Sequence, residues 1–310
     1  MPLVKSNGLE IAYEDDGLND GPAVLMIMGL GVQLTGWPPQ MYGALNEAGY
    51  RTIRFDNRDI GLSQKLDGQK PPNILLQTIL SKIHVTGLAP YNLTDMARDT
   101  IGLIDALDLG RVHLVGISMG GMIGQIVAAT APERIRSFTA IMTSTNSRKL
   151  PGPRPDLLKH LISRRKPAAT IEETVELAVA FWNLIGTKNG GGRQEDLRAR
   201  VRAAFERCNY PAGLRRQTAA IIETGDLRRW TRAIKSPTLV MHGTADPLVN
   251  VAGGKDVAAN IEGANLKLVD GWGHDLPEKF LSELTDEMKS HFRSVESESG
   301  DSEKPTKTAV

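Results

Sequence analysis

Ser118 is the residue of this sequence whose surroundings most clearly suggest chemistry. It stands in the pattern G-x-S-x-G at positions 116–120, after the apolar run VHLVGI and before a stretch of small and apolar residues. This order predicts a strand, a sharp turn and a helix, the context in which G-x-S-x-G exposes a nucleophilic serine. Glycines fit such a turn because a Cβ there would collide with neighbouring backbone. The alternative is an ordinary glycine-rich turn whose serine only caps the helix.

A second Gly-x-Ser occurs at Gly61-Leu62-Ser63, but it has neither a following glycine nor an apolar strand leading directly into it. We therefore do not expect Ser63 to be a nucleophile. The predicted helix after Ser118 also supports Ser118 as the nucleophile, because backbone N–H groups at a helix N-terminus favour the negative charge that develops there.

A serine hydroxyl needs a base to take its proton, and that base needs an orienting acid. His274 lies in GWGHD, a glycine-broken loop between a predicted strand and the last helix, and Asp246 lies in HGTADPLV, directly after the strand SPTLVM. Both follow strands, where ligand sites collect in open α/β sheets. Asp270 and Asp275 are the rival candidates for the acid, although Asp275, as the neighbour of His274, should point away from its ring. Three other histidines are interpreted as structural: His84, His113 and His242.

The loop Met28-Gly29-Leu30-Gly31 follows another apolar strand and is the candidate for half of an oxyanion hole. We expect the backbone N–H groups of Leu30 and Met119 to stabilise the charge that develops on a carbonyl oxygen. The loop could also be a simple strand exit, and it lacks the full G-x-G-x-x-G spacing of a dinucleotide site. Five apolar residues are candidates for a substrate pocket, with plain packing as the alternative: Met28, Trp37, Phe181, Trp182 and Trp272.

The overall composition excludes some classes of function. Lys and Arg number 37 against 36 Asp and Glu among 310 residues, so the net charge of +1 gives no attraction to nucleic acid or to an anionic membrane. The single cysteine, Cys208, cannot form an internal disulfide, which fits a reducing compartment. The N-terminal residues contain no apolar run of signal-peptide length. We expect a cytoplasmic protein with no nucleic-acid or membrane partner.

Strands alternate with helices over most of the chain, which predicts βαβ units and a mostly parallel central sheet flanked by helices, an α/β fold. Residues 146–232 interrupt this alternation with arginine-rich helical stretches and no convincing strand. The simplest organisation is one α/β core, residues 1–145 and 233–293, with a helical insertion over 146–232 after the sixth strand. Helices are expected at Thr94–Leu107, capped by Thr94, and from about Leu276 to Phe292. The polar tail, 294–310, is predicted to be disordered.

Five segments together resemble the α/β-hydrolase superfamily over residues 3–293: MGLG, RFDNRDIGLS, GISMGG, HGTADPLV and GWGHDLP. Within it, the chain looks like bacterial carboxylesterases and aclacinomycin-methylesterase-like hydrolases. The resemblance implies that Ser118 is the nucleophile, His274 the general base and acid and Asp246 its partner. It also implies a helical cap over the site. Many relatives have His-Gly at the oxyanion loop, whereas this chain has Met28 before the glycine, which weakens any inference about substrate.

The residues and the resemblance together predict a serine hydrolase that cleaves a small-molecule carboxylic ester without metal or organic cofactor. Serine at position 118 argues against haloalkane dehalogenases and epoxide hydrolases, which have aspartate there. Cleavage of a lactone or a C–C bond, or formation of peracids, remains open with the same three residues. A ligand-binding receptor on this fold is a further alternative, and neither the physiological substrate nor the oligomeric state follows from the sequence.

Overall fold

The computed structural model describes residues 1–157 and 170–298. Eight strands form one sheet: β1 (Leu3–Ser6), β2 (Leu9–Gly17), β3 (Ala23–Ile27), β4 (Arg51–Phe55), β5 (Val112–Ile117), β6 (Ile135–Ile141), β7 (Thr238–Gly243) and β8 (Asn265–Val269). Their order is β1-β2-β4-β3-β5-β6-β7-β8. The pairings β1–β2 and β2–β4 are antiparallel, and the five from β4 to β8 are parallel. The predicted sheet, mostly parallel and flanked by helices, is confirmed.

In the described ranges, helices lie between or after most of these strands, and several follow one another between β6 and β7. They are α1 (Pro39–Glu47), α2 (Ile74–Ser81), α3 (Leu93–Ala106), α4 (Met119–Thr130), α5 (Ile171–Ile185), α6 (Gln194–Arg207), α7 (Pro211–Thr224), α8 (Arg228–Thr231), α9 (Ala252–Ala259) and α10 (Glu278–Glu298). Within the described ranges, none of them is long and apolar enough to cross a membrane.

The core lies on both faces of the sheet, because side chains alternate along a strand. In β3, Leu25 and Ile27 belong to one apolar cluster, on the side of α3 and α4. Val24 and Met26 belong to another, on the side of α1 and α10. All five residues of β3 are buried, which is why this strand reads as a continuous apolar run.

The connection from β6 to β7 contains α5 to α8 and, in its described residues 146–157 and 170–232, no strand. A small apolar cluster of its own, built on Val175, Val179 and Val201, joins α5 to α6. The boundaries of an inserted domain at 146 and 232 remain a prediction.

Two helix boundaries differ from those expected. Helix α3 begins one residue earlier than predicted, and Asn92 rather than Thr94 caps it, because Asn92 and Asp95 form a reciprocal capping box. The last helix, α10, starts later than predicted, at Glu278, and continues to Glu298. The predicted tail over 294–310 therefore began too early: Val295 is only 8% exposed, so the helix still has an apolar face to bury there. Residues 299–310 lie outside the described residues.

Candidate active site

Ser118 occupies the sharp turn between β5 and α4 that the sequence predicted. Its backbone has φ 55° and ψ −118°, a conformation that L-residues seldom adopt. Gly116 and Gly120 make the turn possible, because neither position has room for a side chain. A Cβ on Gly116 would lie 2.4 Å from the Gly120 carbonyl oxygen, and a Cβ on Gly120 would lie 2.1 Å from the Ile27 carbonyl oxygen. The strained turn is held by the surrounding backbone, with the Ser118 N–H donating to the Ile141 carbonyl at 2.9 Å.

The structure brings Ser118, His274 and Asp246 into one hydrogen-bonded row. The Nε2 atom of His274 lies 3.1 Å from Ser118 Oγ, and its Nδ1 atom lies 2.6 Å from Asp246 Oδ2. The side chains of Asp246 and His274 are both buried, at 0% and 7% exposure, whereas Ser118 is half-buried. This geometry allows proton transfer from the serine hydroxyl to the imidazole, with the carboxylate orienting the ring.

Asp246 is held in its ionised form. Burial favours the neutral acid, but the nearby His274 and His242 lower the pKa of Asp246 well below its usual range. Its other oxygen, Oδ1, accepts from the backbone N–H groups of Leu248 at 2.9 Å and Val249 at 2.8 Å. Two backbone N–H groups and the rings of His274 and His242 therefore surround the carboxylate, and this set of neighbours favours its negative charge.

The rival residues have other contacts. Asp270 is exposed and accepts from Thr244, and Asp275 accepts from Thr187. Ser63 is buried and its hydroxyl donates to the Asp56 carbonyl at 2.5 Å. None of the three is in the row that contains His274.

Two other buried histidines, His113 and His242, differ in their distance from the site. His113 bonds to Ser137 and Glu296, away from Ser118. His242 lies 3.5 Å from Asp246 Oδ2 while its Nε2 contacts the Val249 carbonyl at 2.8 Å. His242 therefore lies beside the candidate acid. The sequence, from which His242 was interpreted as structural, did not indicate this contact.

The loop after β3 passes directly beside the serine. A Cβ on Gly29 would lie 3.2 Å from Ser118 Cβ and 3.7 Å from Ser118 Oγ. In the described part of the chain, the N–H groups of Leu30 and Met119 donate no hydrogen bond to another residue. Two free donors near a nucleophile suit an oxyanion hole, and their role stays a prediction.

The polar residues after β4 hold this loop in place, and sequence reasoning assigned them no function. Asp56 is fully buried, accepts from the Leu34 N–H at 2.7 Å and pairs with Arg207 of α6 at 2.8 Å. Asn57 donates its side-chain N–H to the Met28 carbonyl at 3.0 Å. The sequence does contain one signal for them, a run of four consecutive polar residues, 56–59, directly after a buried strand. An ordinary exposed turn does not require three charged residues in four positions.

Gln217 of α7 fixes the loop from the other side. Its Oε1 accepts from the Gly31 N–H at 2.9 Å and its Nε2 donates to the Arg58 carbonyl at 2.8 Å, and the side chain is fully buried. No local pattern marks this glutamine in the sequence, because its partners lie 186 and 159 residues away.

The five predicted pocket residues are not grouped together. Met28, Trp37 and Trp272 are buried in the apolar cluster on the α1 and α10 side of the sheet. Trp182 is half-buried and packs on the small cluster between α5 and α6, and Phe181 is also half-buried. Packing explains these positions, and contact with a substrate stays a prediction. Within the described residues, no three His, Cys, Asp or Glu side chains are grouped as metal ligands would be.

Comparison with known proteins places this geometry in context. A family model described as the alpha/beta hydrolase fold matches residues 22–161. Rhodomycin D methylesterase of Streptomyces peucetius is 26% identical over 319 residues, which cover 95% of this chain and 99% of that protein. RutD of Variovorax paradoxus, whose name gives it provisionally as a carbamate hydrolase, is 30% identical over 268 residues, or 86% of this chain and 90% of RutD.

Solved structures share the fold. The enol-lactonase of Burkholderia xenovorans superimposes with a TM-score of 0.72, at 24% identity, over 94% of this chain and 100% of that one.

Proposed function

Since this chain belongs to the α/β-hydrolase fold family, we propose that it is a serine esterase that cleaves a small-molecule carboxylic ester. The observation that carries the proposal is the row of three side chains, with 3.1 Å between Ser118 Oγ and His274 Nε2 and 2.6 Å between His274 Nδ1 and Asp246. The methylesterase likeness supports an ester, since that relative is named for cleaving one.

In the first half of the reaction, Ser118 Oγ attacks the carbonyl carbon while its proton moves to His274 Nε2. Asp246 keeps the Nδ1–H of the ring in place and stabilises the imidazolium that forms. The N–H groups of Leu30 and Met119 bind the oxyanion of the tetrahedral intermediate. The bond to the leaving oxygen then breaks, and His274 returns the proton to the departing alcohol.

In the second half, a water molecule replaces the alcohol. His274 takes a proton from the water, the hydroxide attacks the acyl carbon, and the proton is finally given back to Ser118 Oγ as the acid leaves. The chemistry requires no metal or organic cofactor, because the serine and histidine between them supply the nucleophile and the proton transfers.

The test combines labelling by a fluorophosphonate, followed by intact mass, with turnover of p-nitrophenyl esters of increasing chain length. We expect the wild-type protein to form one adduct and to turn over the esters. Ser118→Ala should form no adduct and show no turnover, although its fold is retained. Ser282→Ala is a matched control, since Ser282 is exposed on α10 and should be dispensable for both. Turnover that survives in Ser118→Ala would disprove the mechanism.

The same experiment separates the esterase from its alternatives. A lactone and a diketone, assayed beside the esters, identify a lactonase or a C–C bond hydrolase by product. A Ser118 adduct without turnover of any substrate would favour a receptor on this fold. The profile over chain length measures how much acyl chain the site accepts.

A further inference from the structure

The loop that carries His274 is fastened to the end of α5. The His274 N–H donates to the Ile185 carbonyl at 2.8 Å, and the Gly273 N–H donates to Thr187 Oγ1 at 2.9 Å. Both acceptors belong to the connection between β6 and β7, almost ninety residues before the histidine. The backbone on either side of the imidazole is therefore positioned by a different part of the chain.

The hydroxyl of Thr187 uses both of its hydrogen-bonding roles. It accepts from Gly273 N–H and donates to Asp275 Oδ1 at 2.6 Å, and the Thr187 backbone N–H donates to the same oxygen at 3.0 Å. Only a serine or threonine can supply a donor and an acceptor from one atom at this reach. Thr187 thus closes a ring of contacts around His274, with Gly273 on one side and Asp275 on the other.

The loop also packs directly against the residues that follow α5. A Cβ on Gly273 would lie 2.6 Å from the Gly186 carbonyl carbon, so the two backbones are in direct contact. The indole N–H of fully buried Trp272 donates to the Asp275 carbonyl at 2.7 Å, which closes the loop on itself. Burial raises the pKa of Asp275, and the two bonds from Thr187 oppose that rise.

We infer that Thr187 is a positioning residue for His274, acting through Gly273 and Asp275. The inference rests on the proposed function, because it assigns the base a fixed place relative to Ser118. The 3.1 Å contact between His274 Nε2 and Ser118 Oγ depends on this loop, and a displacement of about 1 Å can cost on the order of 10²-fold in rate. Within the described residues, the hydrogen bonds of the Thr187 hydroxyl join it to Gly273 and Asp275 and not to Ser118 or the imidazole ring.

The test compares Thr187→Val, which keeps the shape and removes the hydroxyl, with Thr187→Ser, which keeps the hydroxyl. With p-nitrophenyl acetate, whose acyl group is too small to reach far into the connection, we expect Thr187→Val to lower kcat about 10-fold to 100-fold with KM changed less than about 3-fold. Thr187→Ser should keep kcat within about 3-fold of the wild type. Thr174→Val is the matched control, because the Thr174 hydroxyl donates to the Thr170 carbonyl at the start of α5, away from the loop that carries His274.

A second measurement does not depend on turnover. Amide hydrogen exchange of a peptide that covers 270–277 should speed up in Thr187→Val and stay as in the wild type in Thr187→Ser and Thr174→Val. Unchanged exchange, an unchanged kcat in Thr187→Val, or equal losses in the valine and serine variants would overturn the inference. If the wild type cleaves no ester but exchange still responds to the hydroxyl, the proposed function fails while the fastening of the loop stands.

Discussion

The ion pair between Arg216 and Asp59 makes a prediction about stability that is independent of catalysis. Arg216 lies on α7 and Asp59 in the loop after β4, with side chains 2% and 0% exposed. Two hydrogen bonds of 2.8 and 2.7 Å join the guanidinium to the carboxylate. Arg216 also donates to the Gln69 carbonyl at 2.7 Å, and Asp59 accepts from the Leu66 N–H at 2.8 Å.

Arg216→Met removes the cation and keeps much of the side-chain volume, so it leaves a buried carboxylate without its counter-charge. Breaking a buried pair in this way costs about 3–5 kcal/mol. The Leu66 N–H remains as one partner of Asp59, so we expect the lower half of that range at pH 7. This loss is a large fraction of the free energy of unfolding of an ordinary domain.

The sign of the pH dependence follows from Asp59. Burial would raise its pKa, but the bonds and charge of Arg216 lower it below the usual value. In the wild type the carboxylate therefore stabilises the fold above the pKa of the unfolded state, and this contribution is lost as pH falls through the folded pKa. In Arg216→Met the charge and bonds of the guanidinium no longer oppose burial and only partners such as the Leu66 N–H remain, so the pKa of Asp59 rises and the carboxylate takes up a proton at higher pH. The difference between the two proteins should therefore shrink from pH 7 towards pH 4.

Urea denaturation at several pH values measures this difference directly. Arg215→Met is the matched control, because the neighbouring arginine is exposed and should change the free energy of unfolding by less than about 0.5 kcal/mol. A loss below about 1 kcal/mol for Arg216→Met at pH 7, or a loss that grows as pH falls, would refute the reasoning.

Two further changes test the candidate site. Gln217→Leu should leave the half-buried Gly31 N–H and the buried Arg58 carbonyl without this partner, with a loss of about 1–3 kcal/mol in the free energy of unfolding by urea and a lower kcat on p-nitrophenyl acetate. Asp246→Asn should lower kcat by about 10³-fold to 10⁴-fold by disturbing the His274 tautomer, whereas Asp270→Asn, at an exposed position, should stay within about 2-fold in the same assay.

The parts of the fold that the sequence predicted well are those specified by local pattern. Continuous apolar runs marked the parallel strands, and the residues at their ends, Ser118, Asp246 and His274, were expected to lie near one another. The structure places these three within hydrogen-bonding distance, because parallel strands deliver their carboxyl ends to one edge of the sheet.

Contacts across long separations could not be predicted. Asp59 and Arg216 are 157 residues apart, and either one alone resembles an ordinary surface charge in the sequence. The start of the tail was misjudged for a related reason. The residues around Val295 are mostly polar, so the sequence alone suggests an exposed segment. The packing of α10 against the sheet shows that Val295 itself is buried.

The connection between β6 and β7 reaches both halves of the candidate site. Gln217 holds the loop with the expected oxyanion donors, and Thr187 holds the loop with His274. Each of these contacts pairs a backbone N–H with a side-chain oxygen, and burying such groups without partners costs about 1–3 kcal/mol each. A connection that made no hydrogen bond to these two loops could be replaced without such a loss. Here a different connection would have to supply side-chain oxygens to the same two N–H groups, those of Gly31 and Gly273. We therefore expect substitutions that change substrate preference to fall elsewhere in the connection and to leave Gln217 and Thr187 in place.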